Sequence, residues 1–562
     1  MRGQRRHLTD IVAITGASRE PWRVSVPMQL NMRNLTGVIV ASENDPVGPA
    51  LTTGARAWAR RFSPSLADVV FVLMLVRLLQ LGATQFFNDP GTGWHLRVGE
   101  DLLHTRALPT TDTFSWTRAG EPWIATQYLG EVALAAAYAL GGYPLIALMC
   151  ALVLAGLFRW VYRANIEAGA WPVWAIVATM LGAAAASGQF LARPLLMTLI
   201  SVPLSFVVAS AYASGKCGRG RLAGLALLSL IWAQTHPGVL GGIVTVGLVG
   251  AGALIEAVTI RDPAARRETA RRAAHVLATA ALMSLATLAT PHGFAWPASI
   301  LELMRLQVLP RLVDEWQPTD WTAPDGLAAA GLLLLTFAGY ALRRERPKAW
   351  IVLVAGFWFF QAVQSGRHVS IFGLVLAVQA GAVLLDVKAA PGFFSRVAAK
   401  IPLFSVPIRD RERRMQCDGV APIAAVSIIA LWAASPEGRW TGLSHAGPPQ
   451  DKYSFALIEH LRRDPPPQPI FNDINFGGHL IHHAPHLRVY VDDRFELYRD
   501  EFIESYERMM TQPREYAETA FKQGGVRSVI VGASTPLATF LEGRSGWRRT
   551  YADPAACVFV RE

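Results

Sequence analysis

Long apolar runs alternate with short polar segments from Leu66 to Ala434, and each run is expected to form a helix. They are Leu66–Phe87, Tyr143–Tyr162, Trp171–Gln189, Leu195–Ala213, Leu222–Gln234, Val239–Thr259, Ala273–Thr290, Leu327–Leu342, Trp350–Val363, Val369–Leu385 and Gly419–Ala434. Several approach the roughly 20 residues that cross a bilayer core, which predicts a polytopic α-helical membrane protein with about 11 spans. The pattern is interrupted between the first two runs, where residues 88–131 are polar but carry Trp94, Trp116, Trp123 and Tyr128. A loop of that length is usually functional or disordered, and its aromatic content argues against disorder. It is expected to be a folded loop and the place to look for chemistry.

Charge supplies the orientation. The chain is 52% hydrophobic and 17% charged, with a formal net charge of +11 that in a soluble protein would suggest nucleic acid. Here the basic residues fall in short clusters between apolar runs. With Arg56, Arg60 and Arg61 placed in the cytoplasm, the clusters at Arg159/Arg163, Lys216–Arg221, Arg261–Arg272, Arg343–Lys348 and Lys388–Arg414 all fall on that side. The expected topology puts the N-terminus in the cytoplasm and the C-terminus outside. No nucleic-acid motif accompanies the charge. The four cysteines show no CxxC or metal-ligand spacing.

Three parts are expected. Residues 1–63 are polar and Arg-rich without a secretion-signal core, and read as a disordered extension. Residues 64–435 form the membrane domain with its loop at 88–131. Residues 436–562 turn soluble, with short β-rich runs (Pro469–Phe471, Val489–Asp492, Val526–Val531, Cys557–Val560) between helical stretches. That alternation predicts a small soluble α/β domain with a mainly parallel sheet.

Candidate chemistry begins at Asp89. Asp89-Pro90 is good helix-start grammar, Asp89 as N-cap and Pro90 as first helical residue. The same carboxylate at a membrane face can deprotonate a hydroxyl or hold a cation. Asp112 is a second candidate carboxylate, with a turn or cap as its plainer role. Arg97, Arg193 and Arg367 are the candidates to grip phosphate, since a guanidinium offers two parallel hydrogen bonds; each also reads as an interfacial arginine. Trp94, His95, His236, Glu315 and Trp316 are candidates for a substrate pocket. In the soluble part, His479, His482, His483 and His486 invite a metal site, and Asp492-Asp493-Arg494 is either a ligand site at a strand end or a structural Asp–Arg pair.

The segments D-P-x-x-x-W-H-x-R-x-G-E (Asp89–Glu100), P-T-T-D-T-F-S (Pro109–Ser115) and G-E-P-W (Gly120–Trp123) resemble a family of bacterial multispanning proteins related to GT-C glycosyltransferases. Arg193-Pro194, His236–Gly238, Pro291-His292-Gly293, Glu315-Trp316, Ser365-Gly366-Arg367 and Asn472–Tyr498 resemble it too, so the likeness covers most of the chain after residue 65. The family's usual start is D-P-D; here Gly91 takes the place of the second acid, and Thr126-Gln127 that of a His-Glu pair. The resemblance implies a GT-C-like fold. It also implies transfer of a sugar from a polyprenyl-phosphate-linked donor to a glycan, lipid or protein acceptor at the outer membrane face, with Asp89 as base or cation ligand. A divalent cation, Mg or Mn, is the cofactor it allows; its ligands are unknown. The two departures keep open a non-catalytic scaffold that binds lipid-linked glycan or assists its export. A transporter is disfavoured, because no inverted hydropathy repeat appears and intramembrane charges are few.

Overall fold

In the computed structural model of the chain, residues 64–343, 346–383, 403, 405–414, 420–433 and 442–562 are described. The N-terminal extension, the run ends at Leu385, Gly419 and Ala434, and the domain boundary near Ser435 lie outside them. Pro64–Glu562 forms one compact unit.

The helices run α1 (Leu66–Gln85), α2 (Thr92–Thr105), α3 (Tyr128–Ala168), α4 (Pro172–Ala186), α5 (Leu196–Ala213), α6 (Arg219–Thr235) and α7 (Val239–Thr259). They continue as α8 (Pro263–Leu288), α9 (Ala295–Arg305), α10 (Pro324–Arg343), α11 (Ala349–Gln364), α12 (Val369–Val383), α13 (Val406–Arg414) and α14 (Val420–Ala433). Every apolar run is thus helical. Among the described residues four helices, α3, α5, α7 and α10, are long and apolar enough to cross a membrane, against about 11 expected spans. Some of the other runs fall short in length: α4 has 15 residues and α6 has 17, below the roughly 20 that cross a bilayer core.

The fold centres on α12, which is apolar all round and buried from Val369 to Ala380, as a central helix must be. Polar side chains tie it in. Asn165 of α3 donates to the Ala377 carbonyl at 2.7 Å and accepts from the Gly381 amide at 2.9 Å. The helix α3 bends at Gly141–Gly142, where Gly142 has φ +61°, so its apolar stretch begins at Tyr143 as the sequence pattern indicates.

The C-terminal part comprises α15 (Phe455–Arg463), β1 (Ile470–Asn472), α16 (Ile474–His483), α17 (Phe495–Thr511), α18 (Pro513–Gln523), β2 (Ser528–Gly532), α19 (Pro536–Glu542), β3 (Trp547–Ala552) and β4 (Ala556–Arg561). The sheet order is β1-β2-β4-β3. Only β1 and β2 are parallel; β4 runs antiparallel to both β2 and β3. This corrects the expected mainly parallel sheet. The turn at Asp553–Ala555 between β3 and β4 is too short for anything but an antiparallel pair. Val489–Asp492 is no strand of this sheet. Val489 instead bridges in parallel to Ser115, with Trp116 N donating to Val489 O at 3.0 Å and Val489 N to Phe114 O at 3.1 Å.

That pairing has a large consequence. The 88–131 loop shares one hydrophobic core with the C-terminal part: Trp94, Val98, Leu102 and Trp123 pack with Leu480, Val489, Val491 and Leu497. A backbone-to-backbone approach completes the joint. A Cβ on Gly93 would collide with the Gly478 carbonyl, and one on Gly478 with the Pro90 carbonyl. Gly93→Ala is therefore expected to destabilise the chain by roughly 1–3 kcal/mol, the usual range for overpacking, read as a lower thermal midpoint in detergent. An unchanged midpoint would show that the two helices can separate freely.

Candidate functional site

Asp89 lies just beyond α1, but it does not cap α2. That helix starts at Thr92, its N-cap position is Gly91, and no side chain caps it. The Asp89 carboxylate instead accepts from Thr92 Oγ1 at 3.0 Å and from Arg193 Nε at 2.6 Å, with Arg193 Nη2 closing a two-pronged ion pair on the other oxygen. Arg193 comes from the stretch between α4 and α5. Its Nη2 also contacts Asp493 Oδ2 at 3.1 Å, and its Nη1 lies 4.0 Å from Glu315 Oε1. Burial works against the Arg193 charge, but Asp89, Asp493 and Glu315 outweigh it and raise its pKa above the ordinary arginine value.

Glu315 hands the network on. It lies 3.8 Å from Arg367 Nη1, and the Arg367 guanidinium stacks over Trp316 at 4.6 Å. Burial raises the Glu315 pKa, yet Arg367 and Arg193 hold it below the usual carboxylate value. For Arg367 burial comes first and lowers its pKa, Glu315 opposing the shift and the like charge of Arg193 adding to it. His236, at the end of α6, bonds Thr198 Oγ1 at 2.8 Å and accepts from the Gly238 amide at 2.9 Å. Burial, then Arg367 and Arg193, push its imidazole down to about 3, so it is neutral at pH 7.

Six of the ten candidate side chains therefore share one contact network around Arg193: Asp89, Trp94, Arg193, Glu315, Trp316 and Arg367; His236 bonds Thr198 and Gly238 instead. Trp94 joins by donating its indole N–H to Asp493 Oδ1 at 2.7 Å. The other three are placed elsewhere. Arg97 pairs with Asp101 at 3.0 Å one turn along α2. His95 is buried, tilted on Trp94 at 3.7 Å, and bonded to Glu131 at 2.9 Å. Asp112 is buried against Arg494 at 2.7 Å and Ser115 Oγ at 2.6 Å, as a turn residue and ion-pair partner.

The C-terminal part contributes Asp493, a residue sequence reasoning weighed without placing it beside Asp89. A Cβ on Gly91 would come within 2.6 Å of Asp493 Oδ2 and 2.7 Å of Arg193 Nη2. The second carboxylate of the site thus occupies the space that a side chain at position 91 would need. Burial raises the Asp493 pKa to about 7, with Arg193 opposing and Asp89 reinforcing the shift. No local signal in the sequence places Asp493 at that spot.

A divalent cation does not fit these residues as they stand. Asp89 spends both oxygens on Arg193, and Asp493 spends one on Arg193 and the other on Trp94. Among the described residues no group of three or more His, Cys, Asp or Glu side chains is arranged to hold a metal ion. The α16 histidines pack on one another, the His483 ring 4.6 Å from His479 and 4.5 Å from His482, while His483 bonds Tyr143 at 2.8 Å and His482 faces Glu100 at 3.5 Å; His486, beyond the helix, bonds the Leu461 carbonyl at 3.3 Å.

Asp89 also lines a small cleft of about 10 Å³, room for about one water molecule, together with Tyr143, Pro448, Tyr453 and His479. The carboxylate that grips Arg193 is thus also one wall of a hollow.

No family model and no curated protein matches the sequence. Solved structures do. The archaeal oligosaccharyltransferase AglB from Archaeoglobus fulgidus, in complex with an inhibitory peptide and a dolichol-phosphate, superposes with a TM-score of 0.52 at 12% identity over 91% of this chain and 75% of its own. The Archaeoglobus fulgidus oligosaccharyltransferase tethered to an acceptor peptide gives 0.51 at 14% identity, over 88% and 74%. ArnT from Cupriavidus metallidurans in the apo state gives 0.47 at 14%, over 90% and 98%. The chain has the fold of the GT-C membrane glycosyltransferases, as its sequence motifs indicate.

Proposed function

We propose that the protein is a glycosyltransferase that moves a sugar from a polyprenyl-phosphate-linked donor to a hydroxyl acceptor, with its chemistry on the outer face of a bacterial inner membrane. One observation supports the reading: Asp89 lines a small cleft and pairs with Arg193, which leads through Glu315 to Arg367. Glycosyl transfer needs such a carboxylate beside such cations. The acceptor oxygen loses its proton to Asp89 and bonds to the anomeric carbon. The carbon–oxygen bond to the lipid phosphate breaks, and the phosphate leaves with the electron pair. Arg193 and Arg367 are the cations placed to meet that growing charge. An arriving phosphate also competes with Asp89 for the Arg193 fork, so donor binding loosens the base as it is needed. The about 11 spans, the N-terminus inside and the C-terminal part outside belong to this reading, as does the dependence on membrane lipid.

The test is release of polyprenyl phosphate by the full chain in nanodiscs. The donors are a panel of polyprenyl-phosphate monosaccharides, and the acceptor is an envelope extract. Arg193→Gln is expected to lower release by roughly 10²–10³-fold, the usual effect of removing one donor to a developing anion, and Arg193→Lys by less. Release by wild type no faster than by heat-inactivated protein would overturn the transferase and leave the scaffold reading in its place.

A further inference from the structure

Two carboxylates from distant parts of the chain converge on one atom, Nη2 of Arg193. It closes the ion pair with Asp89 and lies 3.1 Å from Asp493 Oδ2. Glu315 Oε1 stands 4.0 Å from the neighbouring Nη1. The side chains of Asp89, Asp493 and Arg193 are 4%, 11% and 19% exposed, so little water screens the two acids from each other. Acids so placed repel unless a cation lies between them, either a divalent ion or a basic side chain. We propose that Arg193 takes the place of the divalent cation in this protein, with Asp89 and Asp493 as its paired carboxylates, and that transfer proceeds without a metal. This rests on the transferase reading above and identifies the kind of cation its site uses.

Three features fill the ion's place. First, the oxygens are already engaged. Asp89 Oδ2 accepts from Arg193 Nε at 2.6 Å and from Thr92 Oγ1 at 3.0 Å, and Asp493 Oδ1 accepts from the Trp94 indole at 2.7 Å. An indole N–H can only donate, so it fixes which Asp493 oxygen is left for Arg193. Second, the backbone closes on the pair. A Cβ at Gly91 would come within 2.6 Å of Asp493 Oδ2 and 2.7 Å of Arg193 Nη2. No side chain at that position can therefore join the two acids as a further ligand without displacing one of them. Third, the charge is permanent. A guanidinium keeps its proton throughout the working pH range, and no chelator can draw it off. Its fork matches two phosphate oxygens, so it offers the leaving group by paired hydrogen bonds what an ion offers by charge. The bonds made and broken are those of the transfer step above, and no co-reactant is added.

In the experiment the full chain in phosphatidylcholine nanodiscs is stripped of metal with EDTA, and Mn²⁺ binding is followed by loss of the free-ion EPR signal. Wild type and Asp89→Asn are expected to bind the same amount. Arg193→Ala leaves Asp89, Asp493 and Glu315 around the vacated space, and it is expected to gain a Mn²⁺ site. Adding Asp493→Asn to Arg193→Ala is expected to lose that site again. Release of polyprenyl phosphate by wild type is expected to run at the same rate in EDTA as with added Mg²⁺ or Mn²⁺. Three results would each overturn the proposal: a wild-type Mn²⁺ site that Asp89→Asn removes, release that stops in EDTA and returns with Mg²⁺ or Mn²⁺, or a folded Arg193→Ala that binds no more Mn²⁺ than wild type. Should Arg193→Ala fail to fold, the two wild-type measurements decide alone. The transferase reading fails separately. No release by wild type under any of these conditions removes the reaction, while the Mn²⁺ titration, which needs no donor, still decides whether Arg193 fills the ion's place.

Discussion

Asp89→Asn is expected to lower transfer by about 10²–10⁴-fold, the usual contribution of a positioned general base, with the amount of folded protein unchanged. The isosteric amide keeps one oxygen for Thr92 Oγ1 and for Arg193 Nε, both of which now bond Oδ2. It cannot take a proton from the acceptor. It also turns an N–H toward Arg193 Nη2, which lies on the other carboxylate oxygen, so part of the pair is lost. Arg193 keeps Asp493 and Glu315 as counter-charges, and the network is therefore expected to hold its place. The measurement is product formed per unit of protein in membranes, alongside retention of the lipid-linked donor. Full product from the Asn variant would remove Asp89 from the chemistry. Asp493 would then be the carboxylate to test next, since burial has already moved its pKa up to about 7.

The helical membrane part was legible in the sequence because its signal is local. Apolar composition over a long run fixes a helix, and every such run is helical. What length alone could not decide is which runs cross, since α4 and α6 end before about 20 residues. Asp89, Arg193, Glu315 and Arg367 were also readable one by one, from charge at the ends of apolar runs. Their convergence was not, because it depends on four separate connections meeting at one end of the bundle. Arg97 shows the limit from the other side. It lies inside the D-P motif, yet helix periodicity turns it toward Asp101 one turn on.

The C-terminal part was the least legible. The run Val489–Asp492 has strand composition, and its partner proves to be Phe114–Trp116. No local pattern can announce a pairing across such a separation. Asp492-Asp493-Arg494 was read as either a ligand site or a structural pair, and the chain divides it. Asp492 and Arg494 are structural, while Asp493 turns to Arg193 and Trp94. The compensation between Gly91 and Asp493 needs coordinates to be seen, since it concerns space and not sequence.

Arg494→Met is expected to cost about 3–5 kcal/mol, the usual effect of removing one partner from a buried ion cluster. Arg494 is wholly buried, and its Nη2 donates to Asp112 Oδ1 and to Asp492 Oδ2, both at 2.7 Å. Its Nε donates to Asp492 Oδ1 at 2.8 Å, and its guanidinium lies 4.7 Å from the Trp123 ring. Asp112 belongs to the 88–131 loop and Asp492 to the C-terminal part, so this one cation joins the two. Methionine fills the volume but leaves both carboxylates buried, with Ser115 and Tyr498 as their remaining side-chain partners. The readouts are a lower thermal midpoint and faster proteolysis within 442–562. Adding Asp112→Asn to Arg494→Met is expected to recover part of the loss, because one stranded charge is removed along with the cation. Recovery of stability without recovery of transfer would then separate the two tasks of this segment: Arg494 fastens the joint, and Asp493 beside it must still reach Arg193.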